Sequence, residues 1–326
     1  MMTQLLSPEI GQTILPVIDI APLRGGDPEG RRMVARQLRA ACMETGFFYA
    51  ADHGVDPAFC AGIFAEARRF FDLPLAMKER VGIVKGASQN GYSGIGGQQL
   101  DAATGPDNKE SMYLGVDRAP DDPLVLARTP LHDPNPWPDF LPGWRQAVLV
   151  YFAAMEEVAR LLLRGLALSL DLASDHFDPC MINHMSALRL LHYPPHPTAD
   201  PIREVGCGAH TDWGALTVLS QDMTGGLEIC LPSGRWIAAP PVPGTFIVNI
   251  GDMMARWTND LYASTPHRVL NRSSLDRYSV AFFFDPYYHT RIDCLATCCS
   301  NDRPARYPPI TAGEHILEMK RRTYGY

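Results

Sequence analysis

The chain predicts a mainly β fold with flanking helices: a two-sheet jelly roll on which a helical N-terminal half is packed. Three observations carry that prediction. From Ser186 onward the sequence breaks into short β-type runs: A-L-R-L-L-H-Y, A-L-T-V-L-S, G-L-E-I-C, R-W-I-A-A, T-F-I-V-N-I, H-R-V-L and Y-S-V-A-F-F-F. Gly and Pro turns set them apart at short intervals. Several runs lack clean alternation, as strands covered on both faces do. No linker or internal repeat divides the chain, so one domain is expected over 1–326. It comprises a helix-rich region 1–185, a jelly-roll core 186–290 and a C-terminal extension 291–326 with a helix.

In chain order, L-P-V-I-D-I at 15–20 is a short strand, closed by the breaker P-L-R-G-G-D-P. From Arg31 the period becomes helical. Val34, Leu38, Ala41, Cys42 and Thr45 share a face, and Arg31, Arg32, Arg36 and Arg39 lie largely off it. Gly46 stops this helix, and F-F-Y-A-A-D-H-G-V reads as a strand ending in a turn. A second helix spans Pro57 to Asp72 and ends at Leu73-Pro74. Residues 82–136 are poor in periodicity and rich in Gly, Pro, Asp and Asn. A long irregular segment of this kind in a compact enzyme is read as a functional loop.

The strongest helix follows Pro142, with an apolar stripe of Val148, Phe152, Met155, Ala159, Leu162 and Leu166, and a supporting Glu156–Arg160 pair four residues apart. Such a stripe is core and carries no chemistry. Near the end, T-A-G-E at 311–314 has the pattern of a capping box that opens a last helix through the Arg321 region.

Composition narrows the function classes. A hydrophobic share of 46% and a charged share of 20% are ordinary for a soluble globular protein. The net charge of −7 argues against a nucleic-acid-binding body and leaves no basic stripe for a membrane surface. No apolar run reaches the length of a membrane span, and M-M-T-Q-L-L-S-P-E-I lacks the pattern of a signal peptide, so a cytoplasmic setting is expected. Eight scattered cysteines include Cys294, Cys298 and Cys299, but no paired zinc-ligand spacing, and are read as reduced thiols.

The chemistry concentrates between Ala209 and Phe284. His210 and Asp212 stand two residues apart, so an extended backbone sends both side chains to one face. His267 must be brought back by folding. Two imidazoles and one carboxylate form a facial triad that leaves coordination positions open and suits non-haem Fe(II) used with O2. Ten residues past His267, Arg277 and Ser279 repeat the strand spacing. A guanidinium fork beside a hydroxyl holds a carboxylate. A metal with open sites beside a carboxylate clamp calls for an anionic co-substrate, and 2-oxoglutarate fits. Along the same strand face Phe283 is a candidate pocket wall.

The same segments resemble the isopenicillin N synthase-like family of 2-oxoglutarate- and Fe(II)-dependent oxygenases. The likeness is carried by L-H-Y-P-P at 191–195, H-T-D-W-G-A-L-T at 210–217, Q-D-M-T-G-G-L at 221–227, P-G-T-F-I-V-N-I-G-D at 243–252, W-T-N-D-L-Y-A-S-T-P-H-R-V at 257–269 and R-Y-S-V-A-F-F-F-D-P at 277–286. L-P-V-I-D-I and G-F-F-Y-A-A-D-H-G-V extend it upstream, so it covers most of the chain. The resemblance implies a double-stranded β-helix whose N-terminal strand at 46–55 joins the sheet edge. It also implies Fe(II) on His210, Asp212 and His267, with the C5 carboxylate of 2-oxoglutarate on Arg277, Ser279 and Tyr193. Where relatives often carry Asn two residues before that Tyr, this chain has Leu191. Likeness to segments bordering family active sites makes Tyr92, Lys109 and Tyr113 candidate substrate contacts.

The implied activity is oxidation of a small organic molecule, by hydroxylation or desaturation, with release of succinate and CO2. No catalytic residue is expected beyond the metal centre. Competing readings are a relative that uses Fe(II) and O2 without 2-oxoglutarate, a non-catalytic metal-binding barrel, and a zinc hydrolase. The last is disfavoured because no H-E-x-x-H occurs. His53, His184, His192, His196, His289 and His315 receive no role, and Asp252 is read as a turn cap. The sequence leaves the primary substrate and the oligomeric state open.

Overall fold

The computed structural model describes residues 15–84, 89–195 and 205–324. The M-M-T-Q-L-L-S-P-E-I segment and His196 lie outside the described residues. The first strand, β1 (Val17–Asp19), leads into α1 (Pro28–Glu44). The Asp27 side chain accepts hydrogen bonds from the Glu29 and Gly30 amides, and Pro28 occupies the first turn, where no amide hydrogen is required. The helix buries Val34, Ala35, Leu38, Ala41 and Cys42. It ends before Gly46, whose φ of 67° belongs to the left-handed region. A Cβ there would lie 2.0 Å from the Ala263 carbonyl oxygen, so the stop depends on the absent side chain. β2 (Phe47–Ala51) follows, then α2 (Pro57–Phe71), capped by Asp56, and α3 (Leu75–Lys78).

Within the segment expected to be irregular, β3 (Gly91–Ser93) and β4 (Glu110–Gly115) pair antiparallel, and α4 (Pro123–Leu126) is a single turn. These strands are too short and too polar to show a period in sequence. Next come α5 (Trp144–Ser169), β5 (Ala187–Tyr193), β6 (Val205–His210), β7 (Leu216–Gln221), β8 (Leu227–Cys230), β9 (Trp236–Ala238) and β10 (Thr245–Ile250). The chain finishes with α6 (Asp252–Trp257), β11 (His267–Leu270), β12 (Arg277–Phe284), β13 (Arg291–Ile292), β14 (Ile310–Thr311) and α7 (Ala312–Tyr324). The expected capping box opens α7: Glu314 Oε2 accepts from the Thr311 amide and hydroxyl, while the Glu314 amide donates to Thr311 Oγ1.

Eight strands form one sheet in the order β1-β2-β10-β7-β12-β5-β4-β3, and β6-β11-β8-β9 form the facing sheet. Four strands of the larger sheet precede residue 186. β2 is not the edge strand expected of the 46–55 segment. β1 pairs parallel outside it, so Phe47, Phe48, Tyr49 and Ala50 are all buried.

The larger sheet is covered on both faces, which explains the missing alternation. Along β12, Tyr278, Val280, Phe282 and Phe284 pack under the helices with Phe152, Met155 and Leu162 of α5. Ala281 and Phe283 turn inward, to Leu191, Tyr193, Cys207, Ile229 and Val269 between the two sheets. The helix-side core fixes the sheet, and the inter-sheet side is the inside of a barrel. Functional side chains at odd positions of β12 therefore stand in a protein-lined interior.

Candidate metal centre

His210 closes β6 and His267 opens β11. Their antiparallel register sets them opposite each other, with ring centroids 4.4 Å apart. Asp212 follows just after β6. Its Oδ1 lies 3.9 Å from His210 Nε2 and 3.8 Å from His267 Nε2, too far for hydrogen bonds. The three ligand atoms lie within 4.8 Å of one another, a gap that one ion with bonds of roughly 2.0–2.2 Å bridges after slight closing. Among the described residues this is the only such convergence of three or more His, Cys, Asp or Glu. Cys294, Cys298 and Cys299 form no second one.

Local bonds prepare each ligand. His210 Nδ1 lies 2.8 Å from the Gly208 carbonyl and His267 Nδ1 lies 3.1 Å from that of Thr265. Carbonyls only accept, so both Nδ1 atoms carry the proton and both Nε2 lone pairs face the gap. Burial lowers the pKa of both imidazoles, which keeps them neutral ligands. For Asp212 burial acts upward, but His267, His210, Asn249 and Thr217 together hold its carboxyl below the usual range.

Two strand neighbours hold the far carboxylate oxygen. Asn249 and Thr217 are register partners of β10 and β7, and they donate to Asp212 Oδ2 at 2.7 and 2.6 Å. Oδ1 faces the two Nε2 atoms. Neither residue stands out in the sequence, although Asn249 is the polar break in T-F-I-V-N-I. Asn249→Leu is expected to weaken Fe(II) or Mn(II) binding roughly 10- to 100-fold, read by anaerobic titration. Asp252 lies outside this cluster. Its carboxylate accepts from Thr211 and Ser264, one beside each ligand segment, which is a larger task than capping a turn.

Arg277 is 1% exposed, and no carboxylate pairs with it among the described residues. Its Nε donates to the Gly225 carbonyl at 2.5 Å, Nη1 to Ser279 Oγ at 3.2 Å and Nη2 to Gln221 Oε1 at 3.3 Å. The guanidinium lies 4.7 Å above the Tyr193 ring. A cation this buried with only neutral partners has the electrostatics that favour an anion beside it. Arg277, Ser279 and Tyr193, the three residues expected to form a clamp, thus lie side by side. Leu191 adds only apolar contact.

Behind the clamp, on the helix-side face, His192 bridges Glu110 Oε1 at 2.8 Å and Asp276 Oδ1 at 2.7 Å. Glu110 also receives Lys78 Nζ at 2.7 Å and the Tyr92 hydroxyl at 2.6 Å. Burial works against the His192 charge, yet the two carboxylates raise its pKa above the ordinary value. Its contribution to stability is complete below the unfolded pKa of about 6.5 and is lost as pH rises through the raised folded value. The gap in urea midpoint between wild type and His192→Gln is therefore expected to be widest below about pH 6.5 and to narrow as pH rises above it.

Of the candidate substrate contacts, Lys109, Tyr113 and Phe283 face the barrel. Lys109 Nζ is held by Asp107 at 2.8 Å and Cys207 Sγ at 2.9 Å, and the Tyr113 and Phe283 rings stack at 6.3 Å. Tyr92 does not belong with them. It pairs with Met112 across β3 and β4, and strand alternation turns both to the helices, where Tyr92 meets Phe70.

Comparison with known proteins agrees with this geometry. The family model described as "2OG-Fe(II) oxygenase superfamily" matches residues 177–286, and "non-haem dioxygenase in morphine synthesis N-terminal" matches residues 15–140. A 2-oxoglutarate-Fe(II) type oxidoreductase of Aspergillus fumigatus is 36% identical over 94% of this chain and 93% of its own. A 2-oxoglutarate-dependent dioxygenase of Monascus ruber is 38% identical over 95% of each. A Neurospora crassa protein solved at full length in complex with alpha-KG and thymine superposes with a TM-score of 0.84 at 30% identity, covering 96% of this chain and 97% of that one. With its jelly roll, its His-Asp-His cluster and relatives that span its length, the chain belongs to the 2OG-Fe(II) oxygenase superfamily and is a 2-oxoglutarate- and Fe(II)-dependent dioxygenase.

Proposed function

We propose that His210, Asp212 and His267 hold the Fe(II), and that Arg277, Ser279 and Tyr193 seat the distal carboxylate of 2-oxoglutarate. The enzyme then oxidises a small organic molecule by hydroxylation or desaturation. The observation that carries this assignment is the pairing of one bare-nitrogen, bare-oxygen triad with one buried, acid-free guanidinium inside the same barrel. When bound, Fe(II) and 2-oxoglutarate supply the O2-dependent oxidation, with succinate and CO2 as the co-products.

The residues provide the rest. The Nδ1 bonds aim both imidazoles, Thr217 and Asn249 aim Asp212, and the clamp fixes which end of the co-substrate faces the metal. The inter-sheet apolar residues exclude water from that space. The substrate is placed at the Tyr113–Phe283 wall, with neither nucleic acid nor membrane as partner. None of the described helices is long and apolar enough to cross a membrane. A cytoplasmic setting is part of the same reading, supported by eight free cysteines.

Anaerobic reconstitution with Fe(II) and 2-oxoglutarate, followed by a metabolite screen for O2 consumption, tests the reading. Succinate should form in step with O2 uptake only when both Fe(II) and 2-oxoglutarate are present. Turnover that proceeds undiminished without 2-oxoglutarate would overturn it.

A further inference from the structure

Arg189 is a third cation inside the barrel, after Arg277 and Lys109, and nothing in the assigned chemistry uses it. It sits on β5 with Leu191 and Tyr193 at the following alternate positions, so it shares their inward face. Across the sheet its register partners are Tyr113 on β4 and Ala281 on β12. Its Nη2 donates to Gln98 Oε1 and Ser111 Oγ, both at 2.9 Å and both uncharged. Its Nε is shut off from solvent and has no acceptor. No carboxylate pairs with it among the described residues, and the nearby acid Asp107 is already taken by Lys109.

Orphaned buried donors are uncommon, and one on a guanidinium with no counter-charge asks for an explanation. The charges of the interior sharpen it. Fe(II) with Asp212 leaves one positive charge, and Arg277 adds another. The two carboxylates of 2-oxoglutarate cancel both. Lys109 and Asp107 cancel each other. With those charges matched, Arg189 keeps its own, and its described partners are neutral. The stacked rings of Tyr113 and Phe283 stand on the same wall, a flat surface suited to a planar apolar body.

We propose that Arg189 is the specificity-determining residue of this enzyme, and that its primary substrate is a small carboxylic acid. The acid group pairs with Arg189 while its apolar body lies against Tyr113 and Phe283. This rests on the cofactor assignment above and extends it to the class of substrate.

The test is binding, which needs no turnover. Protein loaded with Mn(II) and 2-oxoglutarate is titrated calorimetrically with phenylacetate, with the isosteric but neutral phenylacetamide, and with thymine. Wild type is expected to prefer phenylacetate by roughly 10- to 100-fold, the range for a charge-assisted hydrogen bond. In Arg189→Gln the acid and the amide should bind alike, and in Arg189→Lys part of the preference should remain. Affinity for 2-oxoglutarate should stay unchanged in both variants, which also reports that the barrel is intact.

The proposal is overturned if wild type does not bind phenylacetate, or binds the amide or thymine as tightly. It also fails if the preference survives in Arg189→Gln, or if that variant loses 2-oxoglutarate instead. Failure of wild type to bind 2-oxoglutarate would strike the cofactor assignment. The acid-against-amide comparison with Mn(II) alone then decides Arg189 separately.

Discussion

Asp212→Ala is expected to abolish turnover, with succinate formation falling below about a thousandth of the wild-type rate, a loss of more than ~4 kcal/mol in barrier terms. In the proposed site Asp212 is the one anionic ligand of the three, its Oδ1 standing with two neutral imidazoles. The substitution removes that charge and also strands Thr217 and Asn249, whose donors lose their common acceptor. Metal titration should show weak or no Fe(II) binding, while the far-ultraviolet circular dichroism stays that of the wild type because the helix-side core is untouched. A variant that kept full activity would remove Asp212 from the metal site.

Arg277→Leu is the second large effect. Truncating one partner of a buried, hydrogen-bonded charge pair costs about 2–5 kcal/mol, so the Kd for 2-oxoglutarate should rise by roughly 30- to 5,000-fold. Metal affinity should hardly change, since none of the metal ligands bonds Arg277. That split separates the clamp from the triad: calorimetry with Mn(II) alone reports one, and with Mn(II) plus 2-oxoglutarate the other. Leucine removes an unpaired buried cation, so the apo protein should be no less stable in urea than wild type. An unchanged Kd for 2-oxoglutarate would put its carboxylate elsewhere.

The legible part of this chain is whatever short-range pattern encodes. The α1 and α5 stripes, the capping box at Thr311 and most core strands follow from spacing that the backbone imposes locally. So does the odd-position set on β12, because a strand alternates whether or not its partners are known. The approach of His267 to His210 depends on long-range pairing, and the β6–β11 register settles its geometry.

What the sequence hides is hidden for physical reasons. β6 reads V-G-C-G-A-H, too rich in glycine to announce a strand. β3 and β4 are stabilised by pairing, β4 with β5 and β3 with β4, rather than by their own propensity. Tyr92 goes to the wrong side in a sequence reading because nothing in N-G-Y-S-G tells which face a three-residue strand offers to the helices. Arg189 and Asn249 are single polar residues inside apolar runs. Their meaning depends on neighbours contributed by strands far away in the chain.

The Asp252 carboxylate, bonded to Thr211 on one side and Ser264 on the other, ties the two ligand-bearing segments together. Both ligand-bearing ends are therefore held by one side chain, so their spacing is set by the protein's own bonds.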